Sequence, residues 1–155
     1  MGVEIERKYL VNLEKWKALD KPAPKFLRQG YMVKEPSKTI RIRIADEDGY
    51  ITIKGKSTGA SRNEYEYPLP LADAMELLND FCDAVITKNR YEIDYAGKLW
   101  EVDEFMGDNE GLYIAEIELD DEAELFELPE WVSREVTGDK RYYNSNLSVN
   151  PYCNW

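Results

Sequence analysis

Glu4, Glu6 and Lys8 recur at every second position near the start of a 155-residue chain. In an extended strand alternate side chains share a face, so these three point one way and Val3, Ile5, Arg7 and Tyr9 the other. Same-face neighbours along a strand lie about 7 Å apart, and two carboxylates at that spacing repel with nothing gained. A divalent cation between them turns the repulsion into attraction and leaves Lys8 to hold an anion alongside. Taken alone, the motif also reads as a solvated strand face, the commoner case.

The spacing recurs down the chain. Arg41/Arg43, Lys54/Lys56, Glu64/Glu66, Lys88/Arg90 and Glu116/Glu118 are further like-charged pairs two residues apart, with the signs sorted by strand. A face kept only for solubility intersperses its signs, because like pairs on one face cost energy. Sorting makes sense where the faces meet across the inside of a closed barrel. Unpaired buried ions are prohibitively expensive, so such an interior has to contain water, metal and ligand. Guanidinium forks and ammonium point charges suit phosphate oxygens, and three basic pairs imply several phosphates in a row. Carboxylate pairs without His or Cys ligands suit Mg²⁺ or Mn²⁺, which would bridge phosphate oxygens and activate water for an in-line attack.

Composition narrows the chemistry further. The chain has no histidine, which excludes Ser-His-Asp and Cys-His nucleophiles, histidine bases and most zinc sites. Its two cysteines, Cys82 and Cys153, make no disulfide framework, so a reducing, cytoplasmic setting is expected. A formal net charge of −11 argues against nucleic acid laid along a basic surface, but not against a small anion where the cations are gathered. No run is apolar enough to span a membrane. The charged N-terminus does not read as a secretory leader, and Glu6 stands where a myristoylation motif needs Ser or Thr.

The elements that would position these side chains are mostly strands. Beyond the first, alternation predicts strands over 25–34, 38–45, 50–56, 63–69, 84–95, 98–105 and 112–119. Asp46 to Gly49 and Ala96-Gly97 form turns, and Gly30 marks a bulge or a close approach. Asn12 caps a short helix through Trp16, and a second helix runs from Leu71 to Cys82. Asp120 to Glu127 is acidic and read as helical, Trp131 to Thr137 as a last strand, and Lys140 to Leu147 as a short helix. Residues 1–155 thus form one mainly β (α+β) domain whose hairpin-linked strands make an antiparallel barrel or sandwich, and the sorted charges favour the barrel, eight-stranded and closed, with a few peripheral helices. The outward faces, with Ile40, Ile42, Ile51, Ile53, Trp100, Val102 and Ile117, need cover from the helices and the tail. The tail aromatics Tyr142, Tyr143, Tyr152 and Trp155 read as such cover rather than as a nucleobase platform, and Tyr31 as packing rather than as a gate at the mouth.

The ordered set Glu4-x-Glu6-x-Lys8, Thr39-Ile-Arg41-Ile-Arg43, Thr52-Ile-Lys54-Gly-Lys56, Glu64-Tyr-Glu66, Lys88-Asn-Arg90 and Glu116-Ile-Glu118 resembles the CYTH domain, or triphosphate tunnel metalloenzymes, over essentially the whole chain. The resemblance implies hydrolysis of a triphosphate or, in one branch, cyclisation of ATP. By position, Lys8, Arg41, Arg43, Lys54, Lys56, Lys88 and Arg90 would grip phosphates. Glu4, Glu6, Glu116 and Glu118 would hold divalent metal, two ions during turnover. Glu64, Glu66 and Asp103 would assist a second ion or the attacking water, and Lys88 would donate the proton to the leaving phosphate. Arg134 and Lys140 are further candidate phosphate contacts whose faces the sequence leaves ambiguous, with surface placement the simpler reading. A compact chain favours inorganic tripolyphosphate. Thiamine or nucleoside triphosphates, a class IV-like adenylate cyclase and a non-enzymatic polyphosphate- or nucleotide-binding module are the alternatives. The expected state is a monomer or homodimer.

Overall fold

The computed structural model describes residues 2–155. Among them nine strands join one sheet: β1 (Gly2–Val11), β2 (Lys25–Glu35), β3 (Lys38–Ala45), β4 (Asp48–Gly55), β5 (Ser61–Leu69), β6 (Val85–Tyr95), β7 (Lys98–Phe105), β8 (Tyr113–Glu118) and β9 (Val132–Glu135). Three helices interrupt them: α1 (Leu13–Ala18), α2 (Leu71–Phe81) and α3 (Asn144–Leu147). The pairing order β5-β4-β3-β2-β6-β7-β8-β1 closes because β1 also pairs with β5, giving an eight-stranded antiparallel barrel. Closure is shared along β1. Its first residues, Gly2 to Ile5, pair with β5, and Tyr9 and Val11 pair with the extra strand β9.

Local chemistry sets the hairpins. β6 and β7 are joined by Ala96-Gly97, both at positive φ (49° and 79°), the turn whose twist matches that of the flanking strands. Asn12 caps α1 by accepting from the Lys15 backbone N–H. Gly30 faces the end of α2, where an added Cβ would lie 2.7 Å from the Cys82 Cβ and 3.2 Å from the Ala84 carbonyl oxygen. Gly30→Ala is therefore expected to destabilise by about 1–3 kcal/mol through overpacking. A lowered urea midpoint at constant m-value would register it.

The outward faces are covered as the alternation requires, but unevenly. α2 lays Ala74 and Leu78 over Ile42 and Ile44. Trp16 of α1 and Trp131 close over Trp100, Val102, Ala115 and Ile117, with ring centroids 5.2 Å (Trp16–Trp131) and 5.8 Å (Trp100–Trp131) apart. Ile53 remains 36% exposed. Among the described residues no helix is long and apolar enough to cross a membrane.

Two expectations about the tail are corrected. Asp120 to Glu127 is not a helix: a turn at Asp121–Glu124 leads into extended chain that carries Phe126 onto the Tyr9 and Trp100 rings. The stretch from Lys140 to Leu147 is a 3-10 turn (Lys140–Tyr142) followed by the single turn of α3. Tyr143 breaks the run with an extended backbone, φ −68° and ψ 133°.

A charged cavity inside the barrel

The inward faces divide the barrel interior in two. At one end Ile86, Phe105, Leu112 and Ile114 pack with Val136, Tyr142 and Leu147 into an apolar plug. The rest is a cavity of about 200 Å³ lined almost wholly by charged and hydroxyl side chains. Among the described residues seven acidic and seven basic side chains line it, so attraction for an anion comes from how the signs are placed and not from an excess of one sign.

The basic wall is built by β3, β4 and β6. Arg41 and Arg43 project from β3, Lys54 from β4, and Lys88 and Arg90 from β6, with Arg62 at the start of β5. Arg43 donates its Nε to Gln29 Oε1 at 2.8 Å. Burial, then repulsion from Arg41 and Arg90, lower its pKa to about 9. Arg41 bonds Thr52 at 3.1 Å and Glu66 at 3.5 Å through one terminal nitrogen, while its buried Nε has no acceptor among the described residues. Lys88 has no surface open to bulk solvent and sits 2.7 Å from Asp103 Oδ2. Burial lowers its pKa; Asp103 opposes this, but Arg90 and Arg43 add to it, leaving about 7. Arg90 is spoken for, with two nitrogens on Asp103 (2.8 and 2.9 Å) and the third on Glu101 (3.2 Å).

The acidic wall is built by β1 and β8, with Glu101 on β7 and Glu64 and Glu66 on β5. Register places Glu6 opposite Glu118 and Lys8 opposite Glu116. Lys8 Nζ lies 3.8 Å from both Glu6 Oε1 and Glu116 Oε1. Lys54 lies 2.8 Å from Glu4 and 3.4 Å from Glu64. Burial raises the Glu4 pKa, but Lys54 and hydrogen bonds more than offset this and leave it at about 2. Glu6 goes the other way: burial, then Glu116, push it up to about 8. Glu64 rises to about 7 through burial and its hydrogen bond with Glu4.

Carboxylates held protonated near neutrality by burial and by one another are short of positive charge. Their hard oxygen donors match a divalent cation. Glu6 and Glu118, both raised, thus fit such an ion, with Glu4 and Glu116, held low against burial by Lys54 and Lys8, as further oxygen donors, although among the described residues no three acids are yet gathered around one point. Lys8 and Lys54 stand between them instead.

The structure brings together Glu4, Glu6, Lys8, Arg41, Arg43, Lys54, Glu64, Glu66, Lys88, Arg90, Glu116 and Glu118 around the cavity. Asp103 lies just behind the wall, buried under Lys88 and Arg90. Glu118 sits at the exposed rim. Lys56 is the exception: β4 ends at Gly55, so the alternation stops before it, and Lys56 is exposed and outside the cavity lining. Arg134 and Lys140 are exposed and also outside it. Tyr31 lines the cavity as well as packing, and Tyr143 lines it while Tyr142 joins the plug.

Several contributors escape a reading by charge pairs. Arg62 continues the Glu64/Glu66 face two residues upstream, a signal hidden by starting that strand at residue 63. Glu101 is the exception, since with Asp103 it forms a like-charged pair on one face that the period of two does mark. Gln29 is uncharged, and Asn144 and Ser145 come from the tail, where no strand period marks them.

Comparison with known proteins agrees with this architecture. A profile of the CYTH domain matches residues 2–148. The chain is 51% identical over 156 residues to an inorganic triphosphatase of Acetivibrio thermocellus, covering 100% of this chain and 99% of the relative. It is 34% identical over 151 residues to an inorganic triphosphatase of Nitrosomonas europaea, covering 94% and 97%. The crystal structure of an inorganic triphosphatase superposes with a TM-score of 0.67 at 32% identity, covering 96% of each chain. With matching motifs, closed barrel and sorted charges, the chain belongs to the CYTH family.

Proposed function

We propose that the cavity binds a linear triphosphate together with a divalent cation and hydrolyses it, inorganic tripolyphosphate plus water giving orthophosphate and pyrophosphate. One observation carries this reading. Arg41, Arg43 and Lys88 crowd one wall with too few anions, while Glu6 and Glu64 crowd the other with too few cations. A polyanion and a hard dication relieve both walls at once. Among the described residues only Tyr31 and Tyr143 offer aromatic surface to the cavity, which supports a bare phosphate chain over a nucleoside or thiamine ester. The activity named for the two relatives supports the same substrate.

In this reading Arg41, Arg43, Lys54 and Lys8 bind and orient the phosphate oxygens. Arg90, held by Asp103 and Glu101, contributes its charge from a fixed position. Glu4, Glu6, Glu116 and Glu118 would hold Mg²⁺ or Mn²⁺, two ions during turnover, which would supply Lewis-acid polarisation of phosphoryl oxygens and activation of water. Glu64, near 7, is poised to accept a proton from the attacking water, with Glu66 beside it. Lys88, also near 7, holds a proton for the leaving phosphate.

A panel of tripolyphosphate, ATP and thiamine triphosphate, each with Mg²⁺ and with Mn²⁺, tests the reading by ³¹P NMR. Equal amounts of orthophosphate and pyrophosphate from tripolyphosphate are expected, with slower turnover of the two esters. ATP converted to cyclic AMP with tripolyphosphate untouched would reverse the assignment.

Ion binding should depend on pH in a defined direction. Glu6 and Glu64 are raised to about 8 and about 7, so at neutral pH an entering cation has to displace protons. Mg²⁺ affinity is therefore expected to weaken as pH falls from 8 to 6, by up to about tenfold per unit for each proton displaced. Calorimetry at pH 7 in buffers of different ionisation enthalpy should detect proton release. Flat affinity from pH 6 to 9 with no release would contradict the assignment of Glu6 and Glu64.

A further inference from the structure

The chain beyond β9 turns back into the barrel, and its apolar side chains form part of the plug. Asn144 sits where that plug meets the charged cavity. Its Oδ1 accepts from Lys88 Nζ at 2.9 Å and from Gln29 Nε2 at 3.1 Å. Gln29 is fully buried, and its own Oε1 accepts from Arg43 Nε at 2.8 Å. One amide of the tail thus reaches cations on β6 and, through β2, on β3.

Counting donors shows what this achieves. An ammonium has three N–H bonds. Asp103 takes one from Lys88 at 2.7 Å and Asn144 a second, which leaves one for a ligand. A guanidinium whose Nε is committed keeps both terminal nitrogens for a bidentate contact. Arg43 is in that state. The acceptor at position 144 is a neutral carbonyl, so it orients the cations without quenching their charge. A carboxylate there would compete with the substrate for them.

We infer that Asn144 is a positioning residue for triphosphate hydrolysis, aiming one N–H of Lys88 and, through Gln29, the fork of Arg43 at the same phosphoryl group. The inference rests on the proposed reading of the cavity. It assigns to the C-terminal segment a part in the chemistry as well as in closing the barrel.

The test is a double-mutant cycle, since a residue acting through another loses its effect once that other is gone. Asn144→Leu removes the acceptor at similar size, and Asn144→Ala serves in its place if the leucine variant melts differently from the parent. Either is expected to lower kcat/KM for tripolyphosphate about tenfold in the unaltered protein and about threefold in a Lys88→Met background, where only the route through Gln29 to Arg43 remains. An equal loss in both backgrounds, or no loss in the unaltered protein, overturns the inference while leaving the cavity reading intact. Failure of the unaltered protein to turn over any triphosphate overturns both.

Discussion

Glu6→Ala is expected to abolish nearly all phosphate release while leaving a barrel at least as stable as the parent. A cation held by the acidic wall contributes several kcal/mol of transition-state stabilisation, and each 1.36 kcal/mol is a factor of ten, so a loss of about 10³-fold follows. The stability half has a clear sign. Burial, then Glu116, raise Glu6 from 4.5 to about 8. A carboxyl raised in the folded state destabilises it increasingly as pH climbs from its unfolded to its folded value. Removing Glu6 should therefore raise the melting temperature of the metal-free protein at pH 8 and have little effect near pH 4.5. Phosphate release by Glu6→Ala at the parental rate would remove Glu6 from the metal site. A variant that melts early at pH 8 would show that Glu6 braces the fold instead.

Asp103→Ala is expected to fail in the opposite way, through stability. Asp103 is 1% exposed and answers two buried cations, Lys88 at 2.7 Å and Arg90 through two contacts. Burial alone would raise its pKa, but Arg90 and Lys88 hold it well below the ordinary carboxylate range. Its contribution is therefore fully present above an unfolded value near 4 and is lost only as pH falls towards the folded one. Stripping one partner from a buried charge pair costs about 3–5 kcal/mol, which for a domain of this size lowers the melting temperature by about 10 °C. Glu101→Ala is the control. Glu101 meets only the third nitrogen of Arg90, is 28% exposed, and should cost far less. Equal melting of the two variants at pH 7 would refute the role given to Asp103.

What the sequence made legible, and what it hid, follows from the period of two. Interior positions of a barrel repeat every second residue, so Glu4/Glu6, Arg41/Arg43, Lys88/Arg90 and Glu116/Glu118 announce one face without any knowledge of pairing. The same period says nothing about where a strand stops. Lys56 continues the alternation on paper, but β4 ends at Gly55 and the side chain leaves the wall. Arg62 is the converse, a wall residue in a polar stretch beside Gly59 where the start of β5 was not visible. Gln29 carries no charge to betray it. Asn144 enters from a segment of 3-10 and α turns whose placement depends on tertiary packing of Tyr142 and Leu147. The acidic run 120–127 resembled a helix in composition, but its place is set by the Phe126 ring packing on Tyr9 and Trp100.

The most direct trial of the central claim is a crystal structure of the protein with Mg²⁺ and a non-hydrolysable imido analogue of tripolyphosphate. The account predicts phosphate groups inside the barrel against Arg41, Arg43 and Lys88, with metal between those phosphates and the β1 and β8 glutamates. Analogue bound only on the outer surface, with the Lys54–Glu4 and Lys8–Glu116 pairs undisturbed inside, would contradict it.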